Sequence, residues 1–186
     1  MKVLIIISGL LICSLSTYSQ DQPEQFIKVS VADQKLYLIE NDRPLKQYPV
    51  STSVYGIGSQ AGSNKTPLGK HKVISKFGNG APLGTIFRSR INTGRTATIY
   101  TDDTNLEEDD VTTRILRLTG LEPGKNKGKG VDSFSRYIYI HGTPEEGLIG
   151  QPASHGCIRM KNADVVELYD LVSEGTVVLI EASSSQ

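Results

Sequence analysis

Short runs of alternating apolar and polar residues, separated by tight turns, constrain the fold of this chain more than any other feature. Residues 26–31 and 35–39 alternate in this way around a turn at 32–34, and a third run over 45–52 follows a turn at 40–43. Closely spaced runs joined by Asp, Asn and Gly turns are typical of antiparallel β-hairpins. Four further segments have the composition of strands: 70–74, 96–100, 136–140 and 176–180. The pattern therefore predicts a mainly β domain.

Two segments have the apolar spacing of helices. The clearer one follows Asn162, predicted here as its N-cap, and repeats apolar residues at helical intervals until Gly175 ends it. The second covers 111–118 and comes directly after the acidic run 107–110, whose negative charges favour a helix N-terminus. We therefore expect one or two helices beside the strands.

The first 19 residues have the pattern of a secretory signal peptide. Lys2 supplies a positive start, 3–13 is an almost unbroken apolar run, and small residues precede a predicted cleavage before Gln20. The run is too short to span about 30 Å of hydrocarbon, so no transmembrane anchor is expected. A lipid anchor on Cys13 is the alternative, and Ile12 directly before it counts against that. The predicted organisation is a signal peptide (1–19), a short leader (20–25), one domain (26–181) and a tail (182–186).

Charge and composition exclude several classes of protein. Basic and acidic side chains are balanced at 20 each, whereas a nucleic-acid-binding protein needs a basic face. A hydrophobic content of 38% and a charged content of 22% are ordinary for a soluble globular protein. We expect a monomer with one core and no nucleic-acid partner.

Cleavage of the signal peptide would leave Cys157 as the only cysteine, with His141 and His155 near it in the sequence. A thiol with a free pKa of about 8.5 is little ionised at neutral pH, so a cysteine nucleophile needs an adjacent base or cation. Either histidine can act in this way, and Ser154 can orient a histidine through a hydrogen bond. Gly156 removes side-chain bulk beside the sulfur, and backbone N–H groups there can receive an oxyanion. The pattern points to nucleophilic catalysis.

Spacing alone leaves two other interpretations open. A single cysteine is often a small buried apolar residue, and a nearby histidine is often a core residue with satisfied hydrogen bonds. The second alternative is a zinc site, although His-x-Cys spacing is atypical of structural zinc, so no metal is expected. Its candidate ligands would be His71, His141, His155 and Cys157.

The sequence on both sides of Cys157 extends this motif. Residues 140–143, then 149–160 with its Ser-His-Gly-Cys core, then Asn162 and Asp164, resemble the catalytic domain of the L,D-transpeptidase family of the YkuD type. Three upstream segments look like the opening hairpin and the Thr-Pro-x-Gly turn of that family: 34–38, 48–52 and 65–69. The resemblance covers about 26–181 and implies a mainly β sandwich or barrel with one or two helices.

The resemblance implies a cofactor-free enzyme that cross-links bacterial peptidoglycan. In this family a cysteine attacks the bond before the terminal D-alanine of a tetrapeptide stem, forms a thioester, and is released by an amine of a neighbouring stem. Carried over, Cys157 is the nucleophile, His141 is the general base, and His155 with Gly156 shapes an oxyanion pocket. The residues that it places against the substrate are Ser154, Arg159, Gly142 and Thr143. Arg159 stands where family members carry Arg or Asn.

The acylation residues do not determine the acyl acceptor. A stem amine would make the protein a transpeptidase, water would make it an L,D-carboxypeptidase, and a protein or amino-acid amine would give an anchored product. A non-catalytic wall-binding module is an alternative of another class, and the retention of His141 together with residues 154–157 counts against it. The signal peptide agrees with a peptidoglycan substrate in the periplasm or cell wall.

Other residues near the motif receive structural interpretations. His71 is expected to be an exposed strand residue, and Tyr137 and Tyr139 to pack on the strand that carries His141. The basic loop 124–130 is interpreted as a solvated connector rather than an anion site.

Overall fold

The computed structural model describes residues 25–184, which form ten strands, one α-helix and one 3₁₀ turn. The strands are β1 (Gln25–Ser30), β2 (Lys35–Glu40), β3 (Arg43–Pro49), β4 (Gly69–Phe77), β5 (Thr85–Arg88), β6 (Ile91–Thr96), β7 (Val111–Gly120), β8 (Tyr139–Gly142), β9 (Ile158–Met160) and β10 (Val177–Glu181). The helix α1 is Asn162–Leu171, and the 3₁₀ turn is Glu146–Leu148. The mainly β prediction is confirmed.

The predicted signal peptide and nearly all of the leader lie outside the described residues, as do Cys13 and the end of the tail. Within 25–184, no helix is long and apolar enough to cross a membrane.

All ten strands belong to one mixed sheet, in the order β3-β2-β1-β10-β4-β7-β5-β6, with β8 paired to β7 and β9 paired to β8. The pairs β1/β10 and β8/β9 are parallel. Just beyond β3, Ser51 exchanges two backbone hydrogen bonds with Arg159 of β9, each 2.9 Å long. This exchange links the β3 end of the sheet to β9, the outer strand of the branch through β8, and gives that part of the sheet a barrel-like closure.

The core lies inside this curved sheet and under α1. The helix packs against β7 and β8 and contributes Val165 and Leu168, both fully buried. The strands contribute fully buried residues such as Ile27, Leu116 and Ile140. Each buried side chain of this size stabilises the fold by about 1.5–3 kcal/mol, so the core holds β7, β8 and β9 firmly in place.

The predicted helix over 111–118 is wrong, because these residues form most of strand β7. The strand is central: it pairs with β4, β5 and β8. Residues 112–116 are buried without interruption, as in a strand covered on both faces, and such a run lacks the alternation that marks a half-exposed strand. The β-branched residues Val111, Thr112, Thr113 and Ile115 favour this conformation.

Other element boundaries also differ from expectation. The predicted strand at 96–100 is wrong, because β6 ends at Thr96 and an irregular loop follows. Strands β5, β6 and β9 had no separate prediction. The helix α1 ends at Leu171, before the predicted stop at Gly175.

The predicted N-cap role of Asn162 is wrong as well. Asn162 is the first residue of the helix, and its side chain binds neighbouring elements instead of the helix backbone. Its Nδ2 donates to the carbonyl oxygen of Thr143 at 2.8 Å and to Oε1 of Glu146 at 2.7 Å, while its Oδ1 accepts from the hydroxyls of Thr112 and Thr113. Asn162 therefore ties α1 to β7 and to the turn that follows β8.

Candidate active site

Two neighbouring parallel strands bring Cys157 and His141 to one face of the sheet. His141 of β8 is in register with Arg159 of β9, and Cys157 directly precedes β9. Because alternate residues of a strand point to the same side, His141 and Cys157 share a face with Arg159. A strand spacing of about 4.8 Å and a rise of about 3.3 Å per residue place the Cα atoms of His141 and Cys157 roughly 8 Å apart.

The Cys157 thiol is held between two backbone groups of the segment leading into β8. The backbone N–H of Tyr139 donates to Sγ at 3.4 Å, and the thiol donates to the carbonyl oxygen of Tyr137, also at 3.4 Å. Cys157 is half-buried and packs against the apolar cluster of Phe87, Ile115 and Tyr139.

This environment favours the neutral thiol at rest. Burial raises the pKa of Cys157 to about 12, and the carboxylate of Asp109 adds to the rise. The Tyr139 N–H and the guanidinium groups of Arg136 and Arg159 lower the pKa but do not outweigh burial. The thiol therefore needs a base to become a nucleophile at neutral pH.

His141 is buried and oriented as such a base. Its Nδ1 lies 2.7 Å from the carbonyl oxygen of Gly142, which can only accept, so Nδ1 carries the proton and Nε2 keeps its lone pair. Burial lowers the pKa of His141, while the Asp109 carboxylate and the hydrogen bond to Gly142 raise it. The ring is accordingly neutral at physiological pH, with a free lone pair.

Gly156 brings two chain segments together beside Cys157. Its φ of +121° lies in the region that favours glycine, and a Cβ there would lie 3.3 Å from the carbonyl oxygen of Lys65. The hydroxyl of Thr66 donates to the carbonyl oxygen of Gly156 at 3.2 Å. The Thr-Pro-x-Gly turn thus packs directly on the residue before Cys157.

His155 borders an open groove of about 320 Å³ next to this site. Its side chain is 46% exposed, and its ring centroid lies 5.6 Å from that of Tyr55. Its Nδ1 lies 3.2 Å from Oδ2 of Asp109. Of the predicted site residues, His155 is the one most open to a ligand.

Ser154, Thr143, Gly142 and Arg159, which the sequence predicts against the substrate, are all buried and form internal contacts. The Ser154 hydroxyl donates to the carbonyl oxygen of Cys157 at 2.6 Å and accepts from the N–H of Gly156, so it shapes the turn and orients no histidine. The Thr143 hydroxyl accepts from the N–H of Glu145 at 3.2 Å.

The backbone of Gly142 leaves no room for a side chain. A Cβ there would lie 2.6 Å from Oδ1 of Asn162 and 2.9 Å from the carbonyl oxygen of Thr112. The Arg159 side chain is only 1% exposed and forms ion pairs with Glu145 and Asp109. Both residues therefore support the site from within.

Sequence reasoning missed the acidic residues that reach the site. Asp109 and Glu145 both pair with Arg159, and the backbone N–H of Leu106 donates to Oε1 of Glu145 at 2.5 Å. The acidic run 107–110 was the available signal, but it was interpreted as the start of a helix. In the structure, this acidic run is the end of an irregular loop, residues 97–110, which we call the acidic loop.

His71 lies in the core, so its predicted exposure is wrong. Its Nε2 and Nδ1 are each 2.9 Å from a partner, the Ser133 hydroxyl and the Gly69 carbonyl oxygen respectively. Burial lowers its pKa. Across residues 25–184, no group of three or more His, Cys, Asp or Glu side chains is arranged to hold a metal ion.

The two tyrosines and the basic loop take defined places. Tyr139 is buried and its hydroxyl accepts from Arg90 at 3.0 Å, whereas Tyr137 is exposed.

Within the loop 124–130, Asn126 is fully buried and donates to the carbonyl oxygens of Leu68 and Lys70, so the loop is more than a solvated connector.

Comparison with known proteins decides the family. The profile of the L,D-transpeptidase catalytic domain, YkuD type, matches residues 24–180. The chain belongs to the L,D-transpeptidase catalytic domain family. It is 28% identical to a YkuD protein of Bacillus licheniformis over 156 residues, which is 83% of this chain and 64% of that protein. It is 48% identical to YkuD of Bacillus subtilis over 59 residues, 31% of this chain and 36% of that protein. This L,D-transpeptidase domain thus spans less than two thirds of the relatives that it matches.

Solved L,D-transpeptidases share the fold. An L,D-transpeptidase from Mycobacterium smegmatis aligns with a TM-score of 0.54 and 18% identity, covering 86% of this chain and 59% of that one. L,D-transpeptidase 3 from Mycobacterium tuberculosis aligns with a TM-score of 0.52 and 20% identity, covering 86% and 61%. At this identity, the likeness establishes the fold of the L,D-transpeptidase domain and nothing finer.

Proposed function

We propose that the protein is an exported L,D-transpeptidase that acts on peptidoglycan stem peptides through a thioester on Cys157. The observation that carries the proposal is the pairing of β8 with β9, which sets Cys157 and His141 on one face, with the Nε2 of His141 free to accept a proton. Family membership supports the peptidoglycan substrate. The signal-peptide pattern over 1–19 and the location of that substrate support export.

In the first step the enzyme is acylated. His141 Nε2 takes the proton of the Cys157 thiol, and the sulfur forms a bond to the carbonyl carbon between the third residue of the stem and its terminal D-alanine. The carbonyl π electrons move to the oxygen, and backbone N–H groups around Cys157, other than that of Gly156, which donates to Ser154, receive the resulting oxyanion. When the oxyanion collapses, the C–N bond breaks, and His141 returns the proton to the nitrogen of the departing D-alanine.

In the second step an amine of a neighbouring stem attacks the thioester. His141 takes a proton from that amine, the C–S bond breaks, and the thiolate of Cys157 is protonated by His141. The new amide joins the two stems. Water in place of the amine would release a free tripeptide, and a protein or amino-acid amine would give an anchored product.

The same chemistry makes the site a target for carbapenems. A strained lactam amide presents a carbonyl carbon to the Cys157 sulfur, and ring opening leaves a stable acyl group on it. The L,D-transpeptidase LdtMt1 has been solved in complex with imipenem, a carbapenem, which supports this part of the proposal.

The experiment is to incubate residues 20–186 with a disaccharide tetrapeptide and to weigh the products by mass spectrometry. A cross-linked dimer with released D-alanine is the expected result. Tripeptide without dimer would mean an L,D-carboxypeptidase, and unchanged tetrapeptide would contradict catalysis and favour a wall-binding module. Cys157→Ala is the matched control, because it removes the sulfur while leaving the packing around Tyr139 largely intact.

A further inference from the structure

The acidic loop delivers a nearly buried carboxylate to the centre of the candidate site. The Asp109 side chain is 18% exposed, with Oδ2 lying 3.2 Å from Nδ1 of His155 and Oδ1 lying 3.3 Å from a terminal nitrogen of Arg159. The chain holds this loop in place by several contacts on the turn after β8. Tyr100 exchanges backbone hydrogen bonds with Pro144 and Gly147, 2.7 and 3.1 Å long.

Asp109 is ionised in spite of its burial. Burial alone would raise its pKa, but three effects hold it below its ordinary value: the charge of His141 whenever that ring is protonated, the charge of Arg159, and hydrogen bonds from His155 and Arg159. The largest of these favourable effects comes from His141. The carboxylate therefore lies within electrostatic range of the base as well as in hydrogen-bond contact with His155.

Two carboxylates share one guanidinium among the buried side chains beside His141. Asp109 and Glu145 each pair with Arg159, which leaves one negative charge over; Glu145 and Arg159 are each 1% exposed. The charged groups that act on His141 are Asp109 and Arg159, and those that act on Cys157 are Asp109, Arg136 and Arg159. Transfer of the thiol proton to His141 places a positive charge near this excess, while the thiolate formed at the same time lies within range of Arg136 and Arg159.

The contact with Asp109 also selects one tautomer of His155. An ionised carboxylate can only accept, so Nδ1 of His155 must carry the proton and donate it to Asp109. That arrangement leaves the Nε2 of His155 available at the groove that it lines with Tyr55 and Leu106.

We propose that Asp109 is a positioning residue for both active-site histidines: it bonds His155 directly and, through Arg159, places a negative charge beside the strand that carries His141. This role rests on the proposed function, in which His141 becomes protonated during turnover. Asp109 acts through the two rings and touches neither the sulfur nor the substrate.

The same acidic loop provides a matched control. Glu108, the preceding residue, has an exposed side chain and forms its ion pair with Arg88, away from the histidines. Glu108→Gln therefore removes one negative charge from the loop, as Asp109→Asn does, without touching His155 or Arg159.

The test is a histidine-ring NMR titration of the purified domain, which needs no stem peptide. In the unmodified protein, the ring-nitrogen shifts of His155 should report a proton on Nδ1.

In Asp109→Asn, the pKa of His141 should fall. Because Asp109 also raises the pKa of Cys157, the pH midpoint of Cys157 alkylation should fall too. Turnover should drop by up to about a hundredfold through misplacement of the rings. Asp109→Glu should restore the pKa of His141 and part of the turnover, and Glu108→Gln should leave all readings unchanged.

A proton on Nε2 of His155 in the unmodified protein would overturn the proposal, even if no Asp109 variant folds. An unchanged pKa of His141 in folded Asp109→Asn, or an equal fall in Glu108→Gln, would overturn it as well. Failure of the proposed function would look different, since the unmodified protein would then leave stem peptides untouched while the ring titrations still followed Asp109.

Discussion

Nδ1 of His141 lies 2.7 Å from the carbonyl oxygen of Gly142, the next residue along the same strand. The orientation of the base is therefore set by the backbone of β8. The pairing of β8 with β9 places Cys157 nearby, and Asn162 secures the turn that follows Gly142 through its bond to Thr143. The placement of His141 relative to Cys157 thus depends on strand register more than on any single side chain.

The roles of the two histidines can be separated by the titration of the thiol. His141→Ala should move the pH midpoint of Cys157 alkylation upward, because the thiol loses its proton acceptor and keeps the burial that already raises its pKa. His155→Ala should move it less, because the Nδ1 of His155 is bonded to Asp109. Loss of the general base should also lower turnover by about 10² to 10⁴. A larger upward shift in His155→Ala than in His141→Ala would mean that the roles are reversed.

Gly156→Ala tests the close contact between the Thr-Pro-x-Gly turn and the nucleophile. The new Cβ would lie 3.3 Å from the carbonyl oxygen of Lys65, at a φ of +121°, so we expect a loss of about 1–3 kcal/mol in stability and a fall in turnover. Gly150→Ala is the control, since its φ is +104° and nothing lies within 4 Å of its Cβ position.

The comparison requires the thermal unfolding midpoint and the turnover rate of both Gly156→Ala and Gly150→Ala. Gly150→Ala should share the loss of stability from backbone strain and keep its turnover. Equal turnover in the two variants would show that the contact between Lys65 and Gly156 has no part in activity.

Asn162→Ser distinguishes the observed role of this residue from that of a helix cap. Serine replaces asparagine at an N-cap with little loss. Here the substitution removes the Nδ2 donor and leaves the carbonyl oxygen of Thr143 unpaired, which should cost about 1–3 kcal/mol. Chemical denaturation measures the difference, and a change of only a few tenths of a kcal/mol would contradict the account.

The sequence predicted those parts of the fold whose signals lie within a few neighbouring residues. The hairpin β1–β2, the strand after Thr176 and the helix near Val165 were predictable, because alternation, turn residues and helical spacing are visible within a few residues. Strand β7 was misassigned because it is buried over most of its length and so lacks alternation. Its conformation is decided by β4, β5 and β8, which pair with it from distant parts of the chain.

The candidate site shows the same difference between local sequence signals and contacts from distant parts of the chain. Cys157, His141 and His155 were found from a compact motif, whereas Asp109 reaches His155 from 46 residues away. The burial of Ser154 and Arg159 was not predictable either, because both residue types are usually exposed. Their partners, the carbonyl oxygen of Cys157 and the carboxylate of Glu145, become apparent only once the chain is folded.

His71 should make the fold sensitive to acid. Burial lowers the pKa of His71 below the ordinary 6.5. Just below pH 6.5, the side chain is therefore protonated in the unfolded chain and still neutral in the folded one. Its contribution to stability is complete above pH 6.5 and is lost as the pH falls below that value, by up to about 1.4 kcal/mol per pH unit. Chemical denaturation at pH 7.5 and pH 5 should show a smaller loss in folded His71→Gln than in the unmodified protein. An equal loss in both would mean that His71 does not contribute.

The most direct test of the central claim is to trap the acyl-enzyme. The domain is mixed with a disaccharide tetrapeptide, quenched in acid within its first turnovers, and weighed intact, and the modified peptide is then sequenced. The account predicts a thioester-linked tripeptide on Cys157, with one D-alanine released for each adduct and no adduct in Cys157→Ala. Cross-linked or trimmed product that forms without an adduct on Cys157, or an adduct that persists in Cys157→Ala, would contradict it.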